Sequence, residues 1–190
     1  LIADPEWVNK TKKGRSDTIR KCISCNIGCA GNRIGNNRPI RCTVNPAPIG
    51  GDIYRKRQIK KACNVVVVGG GTACLEAACT AAEVGCAVFL IEKEKELGGL
   101  SAIISKIPEK KRLADFPTYL IQRAEALDNL HIFLNTTATL DLVQNFNPDI
   151  IVNATGSTPL LPPIKGLHDN INKDGSNVYS IIHMIDHLAD

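Results

Sequence analysis

A run of four valines followed by three glycines, residues 65–71, places the strongest constraint on how this 190-residue chain can fold. A continuous apolar run of this length is typical of a strand that is buried on both faces of a parallel sheet. The alanine-rich stretch 73–84 then predicts a helix that ends at Gly85, and residues 87–91 predict a second buried strand. Together these segments indicate a βαβ unit and a Rossmann-like α/β domain with a parallel sheet.

The glycines after the first strand predict a binding site for a dinucleotide. Gly69 would form the tight turn, and Gly71 would let the backbone approach a pyrophosphate at the start of a helix that Thr72 could cap. Cys74 occupies the third small position, where packing should be slightly wider than with glycine or alanine. Glu92 follows the second strand, 21 residues after Gly71, and a carboxylate there can accept both hydroxyls of an adenosine ribose. A βαβ unit that binds no nucleotide remains the alternative.

The rest of the chain carries weaker periodic signals. Helical spacing or buried-strand composition predicts further elements at 110–127, 131–134, 140–146, 150–154 and 180–188, of which the second and fourth are strands. Residues 99–108 are expected to be irregular, and residues 157–178, with several prolines near their start, are expected to form a loop.

Four of the eight cysteines lie in a polar, glycine-rich stretch and form the second strong pattern. Their spacing is three residues close together and a distant fourth, Cys22-x2-Cys25-x3-Cys29-x12-Cys42. Thiolates of this kind bind either an iron–sulfur cluster or a zinc ion. The three-plus-one pattern favours a cluster, because zinc sites prefer two equal pairs of cysteines. A cluster and a zinc ion both remain as alternatives. Gly28, Gly31 and Gly35 would allow tight backbone turns that bring amide groups near the sulfurs.

The other cysteines lie in or beside apolar runs, which predicts buried, reduced thiols at Cys63, Cys74, Cys79 and Cys86. No signal peptide precedes them, so the cysteines favour a cytoplasmic protein with a metal site over a disulfide framework. The net charge of +4 is too small to indicate nucleic-acid binding, and no apolar run reaches the length of a membrane helix.

The motifs together resemble the 2,4-dienoyl-CoA reductase and 2-enoate reductase family, which is related to trimethylamine dehydrogenase. The matching residues are LIADP at 1–5, RKCISCNIGC at 20–29, RCTVNP at 41–46, GGG at 69–71, EK at 92–93, LGG at 97–99 and ATGS at 154–157 with Pro159. The resemblance covers nearly the whole chain, and the combination of the cysteine and glycine motifs is highly specific.

The resemblance implies the middle part of a larger electron-transfer enzyme. Residues 1–21 would connect to an FMN-binding barrel, residues 22–59 would hold a 4Fe-4S cluster, and residues 60–190 would form an FAD-binding domain that is truncated before an NAD(P)H domain. The partners implied are that barrel, that NAD(P)H domain and further copies of the full enzyme, with neither nucleic acid nor membrane. Electrons would pass from nicotinamide through FAD, cluster and FMN to a conjugated double bond, and the chain alone would be inactive.

Residue by residue, the resemblance implies cluster ligands at Cys22, Cys25, Cys29 and Cys42 and no catalytic acid or base in this chain. Leu100 replaces a glutamine that is frequent in the family, which removes a side-chain hydrogen bond to FAD there. The FAD-binding residues implied are Gly69, Gly71, Thr72, Ala73, Glu92, Lys93, Gly99, Leu100, Lys110, Ala138, Ala154, Thr155 and Gly156.

Two alternative functions stay open at this point. A zinc-stapled nucleotide-binding module without redox activity would use the same cysteines and the same glycine turn. An NADH-binding unit would use Glu92 to bind nicotinamide adenine dinucleotide in place of FAD.

Overall fold

A computed structural model describes residues 1–50, 54 and 56–187, without the side chain of Asp186. The strands are β1 (Asn64–Val68), β2 (Ala87–Ile91), β3 (Leu130–Phe133) and β4 (Ile150–Asn153). The helices are α1 (Trp7–Lys12), α2 (Ala47–Gly50), α3 (Thr72–Glu83), α4 (Gly99–Ile104), α5 (Asp115–Glu125), α6 (Leu140–Asn145), α7 (Leu167–Asn170) and α8 (Ile181–Asp186). Shorter helical segments are the 3-10 turns Ser16–Thr18 and Pro108–Ala114 and the π-helical turns Ile27–Gly35.

The four strands form one parallel sheet in the order β3-β2-β1-β4. β1 lies in the middle of it, with Val66 and Val67 fully buried on opposite faces. Its four consecutive valines therefore reflect burial on both sides of the strand. The predicted Rossmann-like α/β class and the βαβ unit are confirmed.

Helices α3 and α5 cover one face of the sheet and form the main core. Leu75, Leu90 and Leu120 are fully buried there. The other face carries a smaller core in which the rings of Phe89 and Phe146 stack with centroids 4.4 Å apart. One face of the sheet thus packs against a larger core than the other face. The carboxyl ends of the strands stay accessible.

The structure also corrects parts of the sequence prediction. Residues 99–108 are not irregular, since α4 begins at Gly99 and a 3-10 turn follows from Pro108. Gly98 and Gly99 have φ angles of +113° and +57°, which let the chain turn sharply into that helix. The stretch 157–178 contains α7, and the cysteine loop contains a π-helical segment. The predicted terminal helix is confirmed up to α8, while Leu188 lies outside the described residues.

A buried carboxylate organises the chain before the cysteine loop. Asp4 is 4% exposed and accepts hydrogen bonds from the Lys10 ammonium at 2.6 Å, the Arg20 amide at 2.9 Å and the Glu6 amide at 3.0 Å. Burial opposes its ionisation, but these donors outweigh burial and lower the pKa of Asp4. The end of this segment also contacts the α/β domain, because Lys21, directly before the cysteine loop, lies 3.6 Å from Asp115 on α5. The division of the chain at residues 21 and 59 stays a prediction.

Within the described residues, no helix combines the length and the apolar character required to cross a bilayer.

Candidate functional site

The turn between β1 and α3 depends on a glycine with an unusual backbone. Gly69 has a φ of +114°, which side-chain-bearing residues rarely adopt. A Cβ atom at this position would lie 2.8 Å from the sulfur of Cys74 and 2.9 Å from the carbonyl oxygen of Ala154. The turn is therefore packed tightly between the helix and the end of β4, and the predicted role of Gly69 in a tight turn agrees with its geometry.

Gly70 lets the carboxylate of Glu92 lie directly against the turn. A Cβ atom on Gly70 would be 2.7 Å from Oε2 of Glu92. The other oxygen, Oε1, accepts a hydrogen bond from the amide of Glu94 at 2.8 Å, which fixes the side chain. Glu92 is only partly buried and keeps acceptor capacity for a ligand.

Gly71 lies at the N-terminus of α3 and has free space beside it. A Cβ atom there would meet no protein atom within 4 Å. Helix α3 begins at Thr72 with Gly71 at the N-cap and without a side-chain cap, so the expectation that Thr72 caps the helix is wrong. The reason is position, because a capping side chain must precede the first helical residue. The helix N-terminus consequently presents uncapped amide groups, which favour an anion.

The Gly98-Gly99 turn closes on the same place. The amide of Gly98 donates to the carbonyl of Gly70 at 2.9 Å. A Cβ atom on Gly99 would lie 2.9 Å from the Cα atom of Gly71. Two glycine turns from distant parts of the chain thus approach each other within contact distance, as a close backbone approach to a phosphate requires.

A cleft of about 240 Å³ opens beside these turns at the carboxyl ends of the strands. In parallel sheets of this kind ligands bind at this edge. The residues lining the cleft are Val68, Gly69, Ile91, Glu92, Lys93, Thr136, Thr137, Ala138 and Thr155. The predicted residues Gly69, Glu92, Lys93, Ala138 and Thr155 are brought together here.

Sequence reasoning missed four residues of this cleft, of which Val68 and Ile91 end strands β1 and β2 and the other two are Thr136 and Thr137. The amide of Thr136 donates to the carbonyl of Glu92 at 2.9 Å, which places the pair beside the acidic side chain. Their position shortly after β3 was the available signal, since loops that follow parallel strands form ligand sites.

The remaining predicted residues surround the cleft without lining it. Thr72 and Ala73 form the first turn of α3, and Ala154 contacts the Gly69 turn through its carbonyl oxygen. Leu100 on α4 is 53% exposed, Lys110 is exposed in the 3-10 turn, and Gly156 has a φ of +84°. Their roles in binding stay predictions.

The four cysteines of the loop share one small cavity. Cys22, Cys25, Cys29 and Cys42 all line a space of about 20 Å³. Within the described residues, no group of three or more His, Cys, Asp or Glu side chains is arranged so that it could hold a metal ion. The loop therefore brings the four thiols close together, but it does not place them in the geometry of metal ligands. The assignment of a metal to this loop stays a prediction.

Gly28 allows the two parts of the cysteine loop to meet. Its carbonyl accepts the amide of Arg41 at 2.6 Å, and a Cβ atom on Gly28 would lie 2.7 Å from the Arg41 carbonyl oxygen. A larger residue would separate Cys42 from the three upstream cysteines. The predicted need for glycine in this loop thus has a direct steric cause here.

The thiol of Cys25 has polar neighbours. Its sulfur lies 3.1 Å from the hydroxyl oxygen of Thr43. Burial raises its pKa, but hydrogen bonds from Thr43 and from the amides of Ile27 and Gly28 outweigh burial and lower the pKa of Cys25. Cys25 therefore loses its proton more readily than an unperturbed cysteine, and the thiolate is the form that binds a metal.

A direct contact joins the cysteine loop to the α/β domain. Arg112, in the 3-10 turn before α5, donates from Nη1 to the hydroxyl of Ser24 at 2.6 Å. Ser24 lies between Cys22 and Cys25, so this hydrogen bond connects the segment that lines the thiol cavity to the 3-10 turn before α5. The sequence carried no signal for this contact, because the two residues are 88 positions apart.

Proteins of known activity with similar sequences are oxidoreductases. Residues 64–150 match the family model of FAD dependent oxidoreductases. The chain is 44% identical over 172 residues to the NADH oxidase of Thermoanaerobacter brockii, covering 87% of this chain and 26% of that protein. It is 36% identical over 169 residues to the cinnamate reductase of Clostridium sporogenes, covering 87% and 25%.

A solved structure has a similar fold. The complex of 2-naphthoyl-CoA reductase with 2-naphthoyl-CoA superposes with a TM-score of 0.85 at 32% identity, over 90% of this chain and 26% of that one. The chain spans about a quarter of the length of the relatives it matches. These relatives are oxidoreductases, and the family match supports FAD as the cofactor of the α/β domain. By sequence and by structure, the chain is similar to one segment of these flavin oxidoreductases, and the matches support its predicted resemblance to the 2,4-dienoyl-CoA reductase and 2-enoate reductase family.

Proposed function

We propose that this chain relays electrons between an FAD in the cleft and a 4Fe-4S cluster in the cysteine loop of an NAD(P)H-dependent oxidoreductase. The observation that carries the proposal is the contact between the thiol cavity and the α/β domain through Ser24 and Arg112. When bound, FAD accepts a hydride and releases single electrons, and a cluster carries one electron at a time. The protein's task is to hold both groups at a fixed separation.

The residues around the cleft suit the adenosine half of FAD. The uncapped N-terminus of α3 and the open space before Gly71 would receive the pyrophosphate. Glu92, with one oxygen already held by the amide of Glu94, would accept the ribose hydroxyls. Lys93 and Thr136 border the same space. No residue in this set supplies a proton to carbon, so its role is binding and orientation.

Replacing Glu92 with alanine is expected to weaken ADP and FAD binding by about 1–3 kcal/mol, or roughly 5- to 150-fold. The loss arises because charge-assisted hydrogen bonds to the ribose disappear. Calorimetric titration of the wild-type and variant chains with ADP and FAD measures this change. Glu96→Ala serves as the control, since its side chain is 80% exposed and outside the cleft. Tight binding of NADH by the wild-type chain, with no binding of ADP or FAD, would contradict the assignment of the cleft to FAD.

The donor set of the loop suits a cluster chemically. Four thiols from two segments line the same cavity, and amide groups as well as the Thr43 hydroxyl lie beside Cys25. Donors of this kind stabilise negative charge on cysteine sulfur. Cys22, Cys25, Cys29 and Cys42 would be the ligands, after the loop has opened from its small cavity.

Replacing Thr43 with valine is expected to lower the reduction potential of the reconstituted cluster by about 40 mV. A hydrogen bond to sulfur stabilises the reduced, more negative state, and about 1 kcal/mol corresponds to this shift for one electron. A redox titration followed by electron paramagnetic resonance measures the potential. Thr43→Ser keeps the hydroxyl and is expected to keep the wild-type potential. Equal potentials in the valine variant and the wild type would show that the hydroxyl does not act on the cluster.

The activity and the partners of the whole enzyme follow from the same proposal. We propose that the whole enzyme reduces enoate or dienoyl-CoA double bonds in the cytoplasm. Its FMN barrel and its NAD(P)H domain would adjoin this segment. It would also associate with further copies of itself. Relatives named cinnamate reductase and 2-naphthoyl-CoA reductase support a conjugated acid or thioester as substrate. Turnover would require those other parts of the enzyme.

A further inference from the structure

Two thiols outside the cofactor sites lie side by side at the amino-terminal edge of the sheet. Cys63 directly precedes β1 and Cys86 directly precedes β2. The first paired residues of these strands are Asn64 and Ala87, and the amide of Ala87 donates to the carbonyl of Cys63 at 2.9 Å. The hydrogen-bond ladder therefore extends to Cys63 and holds the two cysteine backbones at neighbouring positions.

The two side chains also face the same core and contact each other. Cys86 is 5% exposed, and Cys63 is half-buried against the same cluster of apolar residues. Burial, followed by hydrogen-bonding contact with the Cys63 thiol, raises the pKa of Cys86. Neighbouring strands lie about 4.8 Å apart, and the Cα atoms of disulfides are about 4.4–6.8 Å apart. The spacing of β1 and β2 is thus compatible with a bond between these two sulfurs.

We propose that Cys63 and Cys86 form a reversible disulfide when the protein encounters a peroxide. Hydrogen peroxide oxidises the half-buried thiol of Cys63 to a sulfenic acid and is reduced to one water and the transferred oxygen. The thiol of Cys86 then attacks that sulfur, the S–S bond forms, and the hydroxyl leaves as a second water with the proton of Cys86. Two thiols are oxidised and one peroxide is reduced to two waters.

The position of the pair separates it from the cofactor sites. The disulfide would close a loop that contains β1, the glycine turn and α3. Gly69 and Glu92 follow the opposite ends of β1 and β2, about 17 Å away along five-residue strands. The bond would therefore cross-link the amino-terminal ends of β1 and β2 and leave the nucleotide cleft at their carboxyl ends unchanged.

Peptide mapping of the oxidised chain tests this proposal. The purified chain is treated with hydrogen peroxide, its remaining thiols are alkylated, and it is cleaved after basic residues and after glutamate without reduction. Peptide 62–76 is expected to be linked to peptide 84–92 by a bond between Cys63 and Cys86, and dithiothreitol is expected to separate them. Because Cys74 lies in the first peptide, fragmentation or a Cys74→Ser variant distinguishes it from Cys63.

Two variants and one internal reference make the result decisive. Cys63→Ser is expected to abolish the linked pair, while Cys79→Ser is expected to keep it, since the Cys79 thiol donates to the carbonyl of Leu120 at 3.7 Å. Cys22 is exposed and reports that the oxidant has acted. Oxidised Cys22 together with fully alkylated Cys63 and Cys86 in the wild-type chain would overturn the proposal. A bond from Cys63 to any other cysteine would overturn it as well.

Discussion

Replacing Cys42 with serine is expected to remove most of the iron that the wild-type chain takes up on anaerobic reconstitution with iron and sulfide. The wild-type chain should bind about four irons and become brown, because four thiolates suit one 4Fe-4S cluster. Cys42 enters the thiol cavity from a separate segment, which Gly28 and Arg41 bring to the other three cysteines. A serine hydroxyl is a far weaker ligand near neutral pH, so the cavity would lose its closing ligand.

Iron and sulfide analysis together with the visible spectrum measures this loss, and Cys63→Ser provides the control. Cys63 does not line the thiol cavity, so its variant should keep the wild-type iron content. The alternative of a structural zinc site predicts stoichiometric zinc and no iron after the same treatment. That outcome would refute the electron-transfer proposal and leave a zinc-stapled nucleotide-binding module.

Replacing Gly69 with alanine is expected to lower the free energy of unfolding by about 2–4 kcal/mol, the combined effect of backbone strain and overpacking. The φ of +114° disfavours any side chain, and the new methyl group would meet the Cys74 sulfur and the Ala154 carbonyl within 3 Å. The carbonyl cannot move without disturbing the end of β4. Urea unfolding followed by circular dichroism measures the difference.

Gly71→Ala is the matched variant for Gly69→Ala, since it adds the same methyl group two residues later. Gly71 has a φ of −76°, and its methyl group would meet no protein atom within 4 Å. Its unfolding free energy should therefore stay within about 1 kcal/mol of the wild type. ADP affinity should fall instead, because the methyl group would occupy the space in front of the α3 N-terminus. A stable Gly69→Ala chain would refute the strain argument, and unchanged ADP affinity in Gly71→Ala would refute the placement of the pyrophosphate.

The sequence by itself determined the βαβ unit and the acidic residue that follows its second strand. The valine run, the alanine-rich helix and the position of Glu92 are local patterns, and burial on both faces of a central strand leaves a continuous apolar signature. The strands β1 and β2 and the helix α3 agree with prediction to within about one residue for this reason. The cysteine spacing likewise identified the four thiols that line one cavity.

Only the tertiary structure decided how these local elements are joined. The helix α4 was missed because Gly98 precedes it and Gly99 begins it, and the positive φ angles of these glycines become informative only once the turn is folded against Gly71. The Ser24–Arg112 contact, the Thr43 hydroxyl beside Cys25 and the pairing of Cys63 with Cys86 each connect residues that are 18 or more positions apart. Periodicity reports what lies within a few residues of a position, whereas such contacts depend on strand order and helix packing, which bring distant residues together.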